Sequence, residues 1–125
     1  MANLLIVALG GAVGASLRHL VNVASLRAFG PGFPWGTLTV NIVGSFIMGI
    51  FVEWLVRRSG VSNEVRLLVA TGLLGGFTTF SAFSLDVAML WERGAAMTAS
   101  LYVAASVLLS IAALFAGLAL ARAMA

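Results

Sequence analysis

The sequence predicts an all-α membrane protein built from four transmembrane helices with a break in the third. Three observations carry that prediction. The 125 residues are 62% hydrophobic and only 9% charged, with a mean hydropathy of +1.11, which is too apolar for a water-soluble domain. The apolar residues gather into four blocks, about 4–27, 35–56, 65–89 and 95–121, each long enough for one crossing of a bilayer. Within the third block lies Gly75-Gly76-Phe77-Thr78-Thr79-Phe80-Ser81-Ala82-Phe83-Ser84, whose two glycines and four hydroxyls are foreign to an uninterrupted lipid-embedded helix.

The elements follow in order. In the first block the run Leu4 to Leu17 has the hydropathy of a signal-peptide core, but no basic residue precedes it and three apolar segments follow, so it is read as retained membrane structure. Gly30-Pro31-Gly32-Phe33-Pro34 ends the first helix, because proline and glycine do not continue one. The second block runs from Trp35 to Val56 and turns at Arg57 to Glu64; the third, Val65 to Met89, turns at Trp91 to Gly94 into the fourth. A membrane helix satisfies its own backbone, so Gly75-Gly76 followed by two β-branched threonines suggests a break that frees carbonyls and amides for an ion. Small residues four apart, Gly10 and Gly14, Ser45 and Gly49, Gly72 and Gly76, Ala113 and Gly117, suit close helix packing. The connections are short, and the chain reads as a single integral membrane domain over 1–125.

Charge sets further bounds. The net charge of +3 comes from seven arginines without a single lysine, scattered rather than gathered in a basic patch, so nucleic acid is not expected as a partner. Four spans put Arg57, Arg58, Arg66 and Arg122 at one face and Arg18, Arg27 and Arg93 at the other. A bias of four against three is too small to fix orientation firmly, which permits insertion both ways and an antiparallel, dual-topology homodimer. Four short helices also leave little room for a permeation path within one chain, which again favours an oligomer. There is no cysteine, no His/Asp metal cluster, no phosphate loop and no Ser/His/Asp set at membrane depth, so catalysis has no candidate residues.

Polar groups in hydrocarbon are costly without partners, and three patterns of them stand out. Thr98, Tyr102, Ser106 and Ser110 recur every four residues and share one helix face, either as a hydroxyl track or as side chains bonding back to carbonyls one turn earlier. Thr37, Asn41 and Ser45 repeat the spacing; the Asn41 amide can donate to an anion or serve as an interhelical contact. Phe80 and Phe83 share a face if the helix resumes after the break, where their electropositive ring edges could meet an anion or the rings could simply pack. Arg18 either snorkels to the interface or faces a water-filled vestibule, and Asp86 pairs with an arginine or caps a vestibule. His19 carries little information by itself.

Three stretches, Gly10-Gly11-Ala12-Val13-Gly14-Ala15-Ser16-Leu17-Arg18, Gly36-Thr37-Leu38-Thr39-Val40-Asn41-Ile42-Val43-Gly44 and Gly72 to Ser84, together resemble the Fluc (CrcB) family of small fluoride channels. The third stretch is the specific one. The resemblance implies an antiparallel dual-topology homodimer in a bacterial inner membrane, with two fluoride pores and passive export down the ion's gradient. It implies a structural sodium ion at the dimer centre, held by the backbone carbonyls of Gly75 and Thr78 from both subunits. It also implies that Asn41, Phe80 and Phe83 line the fluoride path, that Tyr102, Ser106 and Ser110 continue it, and that Arg18 sits at a vestibule. The chain departs from the family pattern at Ala82, His19 and Asp86, which bears on conductance and vestibule electrostatics. Two other readings stand beside this one. A small multidrug-type proton-coupled exporter would share the length and topology, but it would need a carboxylate in the first helix, and none is present. In a non-transporting membrane subunit the polar stripes would be packing contacts only.

Overall fold

The architecture follows from helices that hide small and polar residues and turn their large apolar side chains outward. A computed structural model describes residues 1–124, and these form helices joined by short turns. Helix α1 spans Ala2–Phe29 and α2 spans Trp35–Arg57. Helix α3 covers 63–77: it opens with Asn63–Arg66, widens into a π-helix over Leu67–Leu74 and closes with Gly75–Phe77. Helix α4 is Ser81–Glu92 and α5 is Ala96–Met124. Counting α3 and α4 as one interrupted span, Asn63–Glu92, four helices are long and apolar enough to cross a membrane.

The breaks have local causes. At the end of α1, Gly30 adopts φ 76° and its N–H caps the Leu26 carbonyl; Gly94 adopts φ 81° between α4 and α5. A side chain at either position would be strained, which is why glycine ends both helices. The Ser62 hydroxyl accepts from the Val65 N–H at 3.3 Å and starts α3 two residues before the expected Val65. The interruption of the third span lies inside the segment expected for it, but not at the glycine pair. Gly75 and Gly76 are helical, and the chain leaves the helix at Thr78, which is extended at φ −87° and ψ 160°.

Of the two, Gly76 has a different use, which it shares with Gly72 one turn earlier. A methyl group on Gly76 would lie 2.7 Å from the Gly11 carbonyl oxygen, and one on Gly72 would lie 3.0 Å from the Gly10 Cα. The same crowding recurs between α2 and α5, where a Cβ on Gly49 would meet the Leu114 carbonyl and one on Gly117 the Phe46 carbonyl. The most extensive helix contacts are accordingly α2 with α5 and α1 with α3. Lipid tails are as apolar as leucine, so close backbone approach and van der Waals contact hold such pairs together. The π-helix lies on the α1 contact, where a Cβ on Gly10 would come within 2.6 Å of the Leu68 carbonyl oxygen.

The buried apolar core is small: Leu38, Phe83, Leu90, Ala99 and Tyr102 cluster together, and Val40 and Leu74 are buried apart from them. Large side chains such as Leu9, Leu108 and Phe115 face outward, the reverse of a soluble core and the arrangement a hydrocarbon solvent favours. The chain is a multi-pass membrane protein.

Candidate functional site

At the break between α3 and α4 the backbone loses its helical partners and gains specific new ones. Asn41, in the second turn of α2, grips Thr79 on both sides: its Oδ1 accepts from the Thr79 N–H at 2.8 Å and its Nδ2 donates to the Thr79 carbonyl at 3.0 Å. Arg18 of α1 donates its Nε–H to the Gly76 carbonyl at 3.1 Å. The Thr78 N–H and hydroxyl both donate to the Leu74 carbonyl, and the Thr79 hydroxyl accepts from the Ala82 N–H at 3.1 Å to start α4.

Two of the carbonyls at the break lose their helical donors to these substitutions. In a continuous α-helix the Thr79 N–H would close on the Gly75 carbonyl and the Ala82 N–H on that of Thr78. Both donors are diverted, to Asn41 and to the Thr79 hydroxyl, so Gly75 and Thr78 each present a carbonyl oxygen without its helical donor. Such oxygens are hard ligands of the kind that suit a small alkali cation.

Alongside the break runs a groove of about 390 Å³ between α2, α4 and α5. Asn41, Phe80, Phe83, Ser106 and Ser110 all line it, with Ser45, Thr78 and Thr79. Of the path residues expected from sequence, only Tyr102 is not on the lining. It is fully buried one helical turn before Ser106, where its hydroxyl donates to Asp86 Oδ2 at 3.0 Å. Phe83 packs on that tyrosine at 5.3 Å between ring centroids, and Phe33 meets it edge-on at 5.4 Å. Phe80 and Phe83 are neighbours at 5.5 Å, yet their surroundings differ: Phe83 is 8% exposed and Phe80 is 78% exposed, since Phe80 precedes the resumed helix.

The serines divide into two groups. Ser16, Ser84 and Ser100 donate to the carbonyl four residues back, at 2.7 to 3.0 Å. Ser106 and Ser110 do not; their buried hydroxyl oxygens make no hydrogen bond of good geometry among the described residues, that of Ser106 lying beside the Tyr102 hydroxyl. An unpaired buried hydroxyl costs about 1–3 kcal/mol, so two in succession on a groove wall call for a ligand or water. No arginine lines the groove, and with Asn41 holding Thr79 by one Nδ2 proton, its second N–H is left for other acceptors.

A family model described as "CrcB-like protein, Camphor Resistance (CrcB)" matches residues 5–118. The chain belongs to the CrcB family. Among its relatives, the Fluoride-specific ion channel FluC of Chelativorans sp. strain BNC1 is 65% identical over 122 residues, 98% of each chain. The protein of the same name from Mesorhizobium japonicum is 62% identical over 124 residues, 99% of each, and that from Agrobacterium fabrum 58% identical over 122 residues, 98% of each.

In this CrcB chain, sequence reasoning missed several of the contacts that build the site. The Asn41 clamp joins residues 38 apart, and the Arg18 bond to Gly76 joins residues 58 apart; both end on backbone atoms, which leave no mark in residue identity. The partner of Asp86 is Tyr102 and not an arginine. Asp86 also lines a second hollow of about 280 Å³ with Asn22, Ser25 and Thr37, on the side of the α1–α2 turn. The i, i+4 register of hydroxyls on α5 was the signal for Tyr102, but nothing local pairs α4 with α5.

Proposed function

We propose that this protein is a fluoride-selective channel that lets the ion leave the cytoplasm passively and so limits its toxicity. The observation that carries the reading is the pair of unpartnered hydroxyls, Ser106 and Ser110, on the wall of a groove that the Asn41 amide also lines. Near-full-length relatives named as fluoride-specific channels supply the identity of the ion. Fluoride is small and strongly hydrated, so a path for it must replace water's hydrogen bonds. Here the donors are the two hydroxyls, the free Asn41 N–H and the electropositive edges of Phe80 and Phe83. All are neutral, which favours release; a fixed cation in the path would hold the ion too firmly. Larger halides would be refused by narrowness.

The working unit in this reading is an antiparallel, dual-topology homodimer. The near-even arginine count supports it, as does a groove that stands open along one side of a single chain. A structural sodium ion at the dimer centre would be held by the Gly75 and Thr78 carbonyls of both subunits, whose diverted helical donors support that role. When bound, the ion would supply positive potential beside the path. Asn41 and Arg18 keep the break open by occupying the Thr79 and Gly76 backbone groups.

The exporter alternative finds no support in the carboxylates. Glu53, the one acidic residue on α2, accepts from both Arg57 and Arg122 near the helix end and is not free to carry protons. The deciding experiment is fluoride efflux from proteoliposomes, read with a fluoride electrode under valinomycin-balanced potassium. Rapid efflux, with chloride retained, is expected; absence of flux from folded, reconstituted protein would overturn the channel reading.

A further inference from the structure

We infer that the α2–α5 end of the molecule carries a binding site for the phosphate of an anionic phospholipid, built from Arg57 and Arg122 on a shared carboxylate. Glu53 is buried at 8% exposure, and its two oxygens are divided between two arginines from different helices: Oε1 accepts from Arg57 Nε at 2.9 Å and Oε2 from Arg122 Nε at 3.0 Å. Each guanidinium is thus tied through its inner nitrogen. The terminal Nη groups of both make no hydrogen bond among the described residues, and the two side chains are 44% and 59% exposed.

A structural ion pair needs one arginine for one carboxylate. Here one carboxylate holds two, and a third, Arg58, lies over the Trp54 ring at 5.4 Å. Three guanidinia against one carboxylate leave an excess of two positive charges, with two planar donor forks anchored through Nε and their Nη groups unpaired among the described residues. That is the arrangement that recognises a phosphate, whose oxygens accept paired N–H donors. The location selects the form of phosphate. Residues 53–58 and 122 stand at the ends of two membrane spans, with Trp54 beside them, at the level where headgroups meet water. A lipid phosphodiester is presented there at high local concentration, with acyl chains that can lie against the exposed apolar flanks of α2 and α5. The inference depends on the membrane reading alone and not on the identity of the transported ion.

The test is native mass spectrometry of the purified full-length protein, titrated with phosphatidylglycerol or with phosphatidylcholine of the same acyl chains. Preferential phosphatidylglycerol adducts are expected, falling about fivefold in Arg57→Gln and in Arg122→Gln and unchanged in Arg93→Gln at the opposite end. Arg122→Lys keeps the charge that Glu53 needs for folding but loses the planar fork, so it should fold normally and still lose affinity. Equal binding of the two lipids would overturn the site, as would an Arg122→Lys protein that binds like the parent or an Arg93→Gln loss as large as that of Arg122→Gln. Displacement of the lipid by millimolar inorganic phosphate would reassign the site to a free anion.

Discussion

Removing the Ser110 hydroxyl separates two roles that one atom can have. If the hydroxyl were structural, Ser110→Ala would destabilise the protein; since it is buried with no partner among the described residues, its deletion should leave stability unchanged or raise it by as much as about 1–3 kcal/mol. Fluoride flux should nevertheless fall about tenfold, the weight of one hydrogen bond to an ion. Thermal unfolding in detergent and the efflux assay, run on the same preparation, read both. Asn41→Ala should do the opposite as well as the same: it abolishes flux and also orphans the Thr79 N–H and carbonyl, at about 1–3 kcal/mol each, so its midpoint should drop clearly. An Asn41→Ala protein as stable as the parent would show that the clamp does not hold the break. At this scale the sequence was informative about which residues come together and silent about how they bond. Spacing of four placed Ser106, Ser110 and Asn41 on helix faces, but whether a serine bonds back, as Ser100 does, or stays free, as Ser106 does, depends on the neighbouring helix.

Adjacent glycines in α3 give a test of element packing. A Cβ at Gly75 would find the Ala70 carbonyl oxygen at 3.5 Å, an ordinary contact, whereas one at Gly76 would lie 2.7 Å from Gly11 carbonyl oxygen and 3.0 Å from its Cα. Gly75→Ala should therefore fold with little loss, and Gly76→Ala should force α1 away from α3 at about 1–3 kcal/mol, with the Arg18 bond to Gly76 weakened along with it. Denaturation of the two variants side by side checks the contrast; equal losses would mean that the close approach is not what fixes this helix pair. The four spans and the broken third helix were legible because hydropathy, length and punctuation are local properties. The exact site of the break was not. Glycine signals both a break and a close contact, and here Gly76 serves contact while β-branched Thr78 and Thr79, the latter received by Asn41, make the break. The π-helix over Leu67–Leu74 had no sequence signal, because the same apolar residues suit either helix and packing against α1 decides.

For the whole molecule the open quantity is orientation. Arg93 donates to the Gly32 carbonyl at 3.3 Å, so the turn after α1 and the turn after α4 lie together at one end, while Arg57 and Arg122 meet on Glu53 at the other. Counting each arginine at the nearer end of its span gives four (Arg57, Arg58, Arg66, Arg122) against three (Arg27, Arg93 and Arg18, which lies inside its span on the Gly76 carbonyl), with no lysine to add to either. An even mixture of orientations is what the proposed antiparallel pair requires, and the chain's lack of cysteine makes it measurable. A cysteine introduced at Ser59 in the α2–α3 turn should be labelled by a membrane-impermeant thiol reagent to about half of its total in intact cells, since so small a bias barely selects a topology. Adding Arg58→Gln and Arg66→Gln changes the balance to two against three and should move the labelled fraction well away from one half. The same two substitutions should reduce fluoride flux more than either protomer's folding, because an antiparallel dimer needs both orientations in one membrane. Complete labelling or complete protection of the parent protein would rule out dual topology and leave a parallel or monomeric channel to be explained.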